Sequence, residues 1–266
     1  MSNTYPIFCA PQWFITLKDK LPPLPRKPII PKEPKLIKKN FIEKLFLWCD
    51  EEEDREINQH RLDKYQLELV KYNEALIEYK AKVSEVLLES NIQKFRDDYK
   101  IKLLNITLKA SNLSRDVQKG RYELSFKTKL IETFGYRIFD NMEISVNNQF
   151  YSYVPDFVYL DNQTGLSIDI EIDEPYSLPS KIPIHYIGAD DYRNKTFIQN
   201  GWFVIRFAEI QIAQYSKECI EYIKNVVKHI FDGVDILPFN YPVQQWEMTE
   251  AYNMAKCNYR EQYNKL

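Results

Sequence analysis

Carboxylate side chains recur beside apolar segments in the part of the chain from residue 120 to residue 209. Asp156 follows Pro155 in one such segment, and Glu171 lies in another, where apolar and acidic residues alternate. Carboxylates on neighbouring strand ends that face one cleft can hold a divalent metal ion, and such an ion activates water against a phosphodiester. The pattern therefore predicts a nuclease.

The alternating segment covers residues 166–173. Residues two apart share a face of a β-strand, so Asp169, Glu171 and Asp173 are predicted to point to one side and the isoleucines between them to the other. Three carboxylates in a row repel one another unless a cation, a basic partner or water screens them. A plain solvent-facing surface of an antiparallel sheet is the alternative explanation.

Two of the acids are the main candidates for metal ligands. Asp156 and Glu171 could supply two oxygen ligands to Mg²⁺ or Mn²⁺. Glu123, in the first turn of a predicted helix, is either a third ligand or a residue that compensates the helix dipole.

Helices and strands must position these acids. Their predicted order is helix 122–134, strands 138–146 and 150–160 joined near Asn147-Asn148, strand 166–173, helix 189–200, strand 202–207 and helix 209–231. The order helix, three strands, helix, strand, helix predicts an α/β domain over residues 118–235.

Several motifs occur in the same order as in a known group of enzymes. They are Glu123, Asp156, Glu171-x-Asp173, Asp190-x-x-Arg193 and Gly201-Trp202-x-Val204-Ile205-Arg206-Phe207. Over about residues 118–232 the chain resembles the PD-(D/E)XK nuclease superfamily, and within it the Vsr-like (very short patch repair endonuclease-like) branch. The resemblance implies a restriction-endonuclease-like core with a mixed sheet, Mg²⁺-dependent endonuclease activity on DNA, and Asp156 and Glu171 as metal ligands. It also implies that Glu123 matches the helix glutamate of the family and that Asp173 takes the third motif position.

The chain departs from the general pattern of the superfamily at that third position, where a lysine is usual. His185 could serve as a general base or position a water molecule, or it could be an ordinary loop histidine. Lys127, Lys181 and Lys195 are candidates for the missing positive charge, although each could equally be a surface lysine. If none of them serves, the alternative is a catalytically inactive module that binds nucleic acid or a partner protein through the nuclease fold.

Contacts with nucleic acid are predicted at a few further residues. Arg193 could reach a phosphate or pair with Asp190, and Lys127 and Lys195 are weaker candidates. Tyr176 lies in a proline-containing loop, where it could stack on bases or be structural. Arg206 is expected to form an ion pair with a site carboxylate.

The N-terminal part of the chain has a different character. Residues 1–39 are predicted to form an extended, basic, proline-rich arm with polyproline II character, which either touches phosphates or is simply solvated.

Residues 40–110 lack Gly and Pro and are predicted to be helical. A seam of apolar residues steps through this region by three and four positions: Leu62, Tyr65, Leu69, Tyr72, Leu76, Tyr79, Val83 and Val86. The seam predicts either a coiled coil through residues 57–90 that makes a homodimer or binds a partner protein, or a helix hairpin with residues 91–108. A further alternative for the whole chain is a structural adaptor whose coiled coil is the functional part. Residues 236–266 are predicted to form a helical tail.

The composition excludes some classes of protein. A net charge of −2 argues against a general binder of polyanions, so contacts with DNA, or with RNA as the other candidate, must come from local patches. The four cysteines are scattered without a C-x-x-C pair, so we expect reduced thiols and a cytoplasmic location. No run of ~18 apolar residues occurs, and no membrane span is expected.

Overall fold

The computed structural model describes residues 4–38, 51–113, 119–146, 152–178 and 180–263. The chain forms two compact units. Met1–Lys18 and Asp98–Leu266 make up the first, and Asp19–Asp97 makes up the second. The predicted turn at Asn147-Asn148 lies outside the described residues.

A mixed five-stranded sheet forms the centre of the first unit. Its strands, in spatial order, are β2 (Ile7–Cys9), β8 (Phe203–Ala208), β7 (Leu166–Asp173), β6 (Phe157–Asp161) and β4 (Ile138–Phe139). Strands β7 and β8 are parallel, and the other neighbours are antiparallel. The chain is thus of the mixed α/β class, as predicted.

Three helices flank this sheet: α4 (Glu123–Phe134), α5 (Asp191–Gln199) and α6 (Glu209–Asp232). Side chains of α4 and α6 pack with the isoleucines of β7 in one apolar core. A second core lies on the opposite face, where Phe197 of α5 packs with Val158 and Val204. The helices and strands around the acids follow the predicted order. The strand predicted at 138–146 is replaced by the short strands β4 and β5 (Met142–Glu143), and the strand predicted at 150–160 is the shorter β6, which begins at Phe157.

Both faces of β7 are covered. All eight of its residues are buried, including Asp169, Glu171 and Asp173. The alternative of a solvent-facing acidic surface is therefore wrong, because the carboxylates lie in a polar layer between the sheet and α5.

Small elements complete the first unit. Strand β1 (Thr4–Tyr5) pairs with β9 (Val243–Gln244), and β3 (Ser111–Asn112) pairs with β5. Helices α1 (Gln12–Ile15) and α7 (Met248–Lys256) lie near the two ends of the chain. The predicted arm of residues 1–39 therefore starts too early, because Ile7 and Phe8 pair with β8.

The second unit contains the proline-rich arm, helix α2 (Glu51–Val86) and the start of helix α3 (Glu89–Asn105). Residues 20–38 contain no helix or strand. Asn58 of α2 holds the backbone of Ile37 through two hydrogen bonds, of 2.8 Å to its N–H and 3.1 Å to its carbonyl oxygen. Arg61 donates to the Lys35 carbonyl oxygen at 2.6 Å. The arm therefore lies against the N-terminal part of α2.

In the described part of the chain, no helix is both long enough and apolar enough to cross a membrane.

Candidate active site

Asp156, which immediately precedes β6, lies across from Glu171 of the neighbouring strand β7. The antiparallel register pairs Phe157 with Ile170, and one further step places Asp156 across from Glu171. The Asp156 backbone N–H donates to Glu171 Oε1 at 3.3 Å, and the Ile172 N–H donates to Asp156 Oδ2 at 2.7 Å. Because Asp156 is half-buried and Glu171 is buried, the pair lies at the edge of the polar layer.

Arg193 of α5 covers the acids of β7. Its Nη2 donates to Glu171 Oε1 and, at 3.2 Å, to the Val154 carbonyl oxygen. The same nitrogen lies 3.8 Å from Asp169 Oδ1. The charge of Arg193 is therefore balanced by buried carboxylates. This arrangement disfavours the predicted contact of the Arg193 side chain with a phosphate.

A second arginine neutralises the end of β7. Arg206 of β8 makes two hydrogen bonds with Asp173, from Nε to Oδ2 at 2.9 Å and from Nη2 to Oδ1 at 2.6 Å. Its Nη2 also lies 3.0 Å from Asp190 Oδ2. The ion pair expected of Arg206 with a site carboxylate is thus present.

His185 joins the same cluster. Its Nδ1 lies 2.8 Å from Asp190 Oδ2 and 3.7 Å from Asp173 Oδ1. Burial by itself would lower the pKa of His185, but Asp173 and Asp190 outweigh burial and raise the pKa to about 9. His185 is then a cation at neutral pH, so the structure disfavours the predicted role as a general base.

Asp173, His185 and Asp190 bring one possible ligand atom each within 4.8 Å of the others, the one such group of three found among the described residues. The Arg206 guanidinium already lies among these atoms. A metal ion there would have to displace a buried cation, so we regard this cluster as an ion-pair network.

The polar layer has more acids than bases. Its carboxylates are Asp156, Asp169, Glu171, Asp173 and Asp190, and its cations are Arg193, Arg206 and protonated His185. Burial, and after it the charge of Glu171, raises the pKa of both Asp156 and Asp169 well above the usual range. Within the described residues, both Asp169 carboxylate oxygens are buried without a hydrogen-bond partner. The excess negative charge of the polar layer must therefore be neutralised by protonation of carboxylates or by a further cation.

Glu123 and Lys119 lie beside Asp156. Lys119 Nζ is 3.5 Å from Glu123 Oε2 and 3.5 Å from the Asp156 carbonyl oxygen. Glu123 Oε1 accepts from the Gly120 N–H at 2.5 Å, and a Cβ atom on Gly120 would lie 2.7 Å from that oxygen. Burial raises the pKa of Glu123. Sequence reasoning missed Lys119, which precedes α4 and belongs to no motif.

Glu174 is another acid that sequence reasoning did not single out. Burial, and after it the charge of Glu209, raises the pKa of Glu174 to about 7. Its Oε2 lies 3.9 Å from His185 Nε2, and its Oε1 lies 3.6 Å from Arg260 Nη2. Only its position next to the third motif residue could have indicated it.

The remaining residues predicted for the site either lie apart from the acids or interact with other side chains. Lys127 forms an ion pair with Asp140 at 2.7 Å, Lys181 donates to Asn258 Oδ1 at 2.6 Å, and Lys195 is exposed on α5. Tyr176 is 1% exposed, and its hydroxyl accepts from the Arg260 N–H at 3.0 Å. The prediction that Tyr176 stacks on bases is wrong because its ring is inaccessible.

No family model matches the chain, and comparisons with curated proteins and with solved structures also found no match. The resemblance to PD-(D/E)XK nucleases therefore stays a prediction.

Proposed function

We propose that this protein is a metal-dependent endonuclease that hydrolyses phosphodiester bonds, with DNA as its substrate. The proposal is supported by the order of the elements that form the main sheet and flank it, which is helix, three strands (β4, β6 and β7), helix, strand, helix, and by the parallel pair β7 and β8. These features agree with the restriction-endonuclease-like core that the motifs imply.

The observation that carries the proposal is the pairing of Asp156 with Glu171 at the edge of the polar layer. Glu171 Oε1 already accepts hydrogen bonds from Arg193 and from the Asp156 backbone. Asp156 stays half-buried, and the charge of Glu171 adds to the burial that raises its pKa. Two close carboxylates that are costly to ionise together favour a bound cation.

The acids are compatible with Mg²⁺ or Mn²⁺. Carboxylate oxygens are the donors that these ions prefer, and Glu123 Oε2 is buried without a hydrogen-bond partner among the described residues. We assign Asp156 and Glu171 as ligands, with Glu123 as the third. A bound ion would polarise the phosphodiester and lower the pKa of a water molecule.

Neighbouring side chains have distinct roles in this proposal. Lys119 supplies positive charge close to Asp156 and Glu123, where the family pattern would use its motif lysine. Glu174, with a pKa of about 7, can hold or release a proton near neutral pH. Asp173 and His185 belong to the network around Arg206 and keep the end of β7 in place.

The test is cleavage of supercoiled, linear and single-stranded DNA, with RNA alongside, in Mg²⁺ or Mn²⁺. Wild type is compared with Asp156→Asn and Glu171→Gln, and Glu132→Gln, at an exposed position of α4, is the matched control. We expect cutting that needs the metal, is lost in both site variants and persists in the control. Cutting that survives in both site variants would contradict the assignment.

A second candidate function is an inactive module that binds nucleic acid or a partner protein. The observation that favours it is the neutralisation of Glu171 by Arg193 and of Asp173 by Arg206, as in a structural ion-pair network. Under this alternative, well-folded wild type cuts none of the substrates in either metal. If function instead lies in an adaptor surface on α2, removal of residues 19–97 abolishes it, whereas a nuclease could retain cutting.

A further inference from the structure

The proline-rich arm of the second unit has a repeat of three residues. Proline occupies every third position over five successive turns: Pro22, Pro25, Pro28, Pro31 and Pro34. A polyproline II helix has three residues per turn, so residues three apart lie on the same face. The repeat indicates that the arm has three distinct faces.

The burial of the residues in the arm repeats with the same period of three. The five prolines of the repeat and Ile37 are half-buried, whereas every other residue from 21 to 38 is exposed. At one end of the arm, the Ile37 backbone is hydrogen-bonded to Asn58, and the Lys35 backbone is hydrogen-bonded to Arg61. At the other end, Arg96 Nε donates to the Lys20 carbonyl oxygen at 3.1 Å. The proline face is therefore the least exposed side of the arm.

The other two faces differ in chemistry. The residues that follow the proline face by one position include Arg26, Lys32, Lys35 and Lys38, and none of them is acidic. The third face carries the exposed side chains of Leu21, Leu24, Ile30 and Leu36, together with Lys27 and Glu33. We call the first of these the basic face, defined by Arg26, Lys32, Lys35 and Lys38.

We propose that the basic face binds the phosphate backbone of a nucleic-acid strand. One turn of polyproline II advances about 9 Å, so Lys32, Lys35 and Lys38 form a line of exposed cations on three successive turns. A straight line of cations matches a linear polyanion. Because the arm is already held at both ends, ordering it for binding costs little conformational entropy. An anionic membrane is less suitable, because four of the five exposed aliphatic side chains of the arm (Leu21, Leu24, Ile30 and Leu36) lie on the third face, and only Ile29 lies among the cations of the basic face.

This proposal is independent of cleavage and is tested in EDTA on the full chain. The probes are fluorescent single-stranded DNA, duplex DNA and single-stranded RNA, and binding is measured over a range of salt concentrations. The variant combines Arg26→Gln, Lys32→Gln, Lys35→Gln and Lys38→Gln. We expect weaker binding and a decrease of about 3 in the slope of log affinity against log salt, at about 0.7 to 0.9 per phosphate contact.

Two controls distinguish the effect of where the cations lie from the effect of the net charge of the protein. A matched variant removes four exposed cations elsewhere in the second unit, Lys64→Gln, Lys71→Gln, Lys80→Gln and Lys94→Gln. A charge-preserving variant replaces Lys32, Lys35 and Lys38 by arginine. The proposal expects both controls to bind like wild type, with circular dichroism unchanged in every variant.

Three results would overturn the proposal. The first is an equal loss of affinity in the basic-face variant and the matched variant, since binding would then follow net charge. The second is wild-type affinity in the basic-face variant. The third result uses vesicles of phosphatidylserine and phosphatidylcholine as an additional probe. If the basic-face variant loses affinity for these vesicles and for none of the nucleic acids, the partner is a membrane. Absence of nuclease activity in Mg²⁺ would leave the binding result unaffected.

Discussion

Arg206 and Asp173 form a bidentate ion pair on the neighbouring parallel strands β8 and β7, with hydrogen bonds of 2.9 and 2.6 Å. Both side chains are almost completely buried. Asp173 takes the position at which the general PD-(D/E)XK pattern, which the motifs resemble, has a lysine, yet both of its carboxylate oxygens accept hydrogen bonds from Arg206. We therefore assign Asp173 as a positioning residue that holds the C-terminal end of β7, where Glu171 lies two residues earlier.

Breaking this ion pair should destabilise the fold. Arg206→Met leaves Asp173 buried without its partner, and removal of one member of a buried pair costs about 3 to 5 kcal/mol. Urea unfolding measures the free energy of unfolding of this variant, of Asp173→Asn and of the double variant. We expect the double variant to be less destabilised than the sum of the single variants. A loss below about 1 kcal/mol for Arg206→Met would show that the pair is not structural.

Lys119 should affect cleavage more than metal binding. Lys119→Met removes positive charge beside Asp156 and Glu123 and also removes its repulsion of a bound cation. We expect the cleavage rate to fall by about 10²-fold to 10³-fold, as for loss of one electrostatic contact in an active site, while Mn²⁺ binds no more weakly. Lys119→Arg should restore part of the rate. The control is Lys127→Met, because Lys127 pairs with Asp140. A parallel loss of Mn²⁺ affinity would contradict the assigned role.

Stability without metal should fall as pH rises. The pKa of Glu174 is raised to about 7 and that of His185 to about 9, so the folded protein binds more protons than the unfolded chain. The contribution of Glu174 is complete below its unfolded pKa near 4.5 and is lost through pH 7. That of His185 is complete below 6.5 and is lost through pH 9.

Unfolding in urea between pH 5 and pH 9.5 checks this dependence. Glu174→Gln should flatten the curve mainly between pH 5 and pH 7, and His185→Asn should flatten it mainly between pH 6.5 and pH 9. Stability that increases over the whole range in wild type would contradict the direction of both pKa shifts.

The arm should be released from α2 by a single change. Asn58→Ala removes two hydrogen bonds to the Ile37 backbone, worth about 1 to 3 kcal/mol together. Limited trypsin digestion should then cut faster at the arm's lysines, with the helical circular dichroism signal unchanged. Gln59→Ala is the matched control, since Gln59 is exposed and bonds to Asp63. Equal digestion rates in the two variants would show that Asn58 does not hold the arm.

Local patterns predicted much of the fold. The alternation in residues 166–173 predicted β7 with its bounds, and the helices predicted at 122–134 and 189–200 correspond to α4 and α5, which end at Phe134 and Gln199. The ion pair of Arg206 with a site carboxylate was expected, but burial of the whole acidic face of β7 was not predicted, because it also depends on Arg193, which covers Glu171 from α5. Those ion pairs join residues 22 and 33 positions apart in the chain.

The site was less predictable than the strands. Lys119 belongs to no periodic element. The pKa of Glu174 is raised first by burial and then by the charge of Glu209, and Arg260 opposes this shift; both residues are distant in sequence. The helical region predicted at 40–110 illustrates the same difficulty, because its seam left a coiled coil and a helix hairpin with residues 91–108 as alternatives. The apolar seam of α2 was recognised, whereas the hydrogen bonds of Asn58 and Arg61 go to the proline-rich arm. Proline at every third position was visible in the sequence, but its packing partner was not.

The most direct test of the central claim is Mn²⁺ binding to the intact protein, followed by the loss of the free-ion signal in electron paramagnetic resonance. Wild type is compared with Asp156→Asn, just before β6, and with Asp161→Asn, at the opposite end of β6, where its carboxylate lies 3.7 Å from Arg137 Nε. We predict saturable binding by wild type and by the Asp161 variant, and at least a tenfold weaker affinity in the Asp156 variant. Equal Mn²⁺ affinity in all three proteins would contradict the assignment of Asp156 and Glu171 as the metal site.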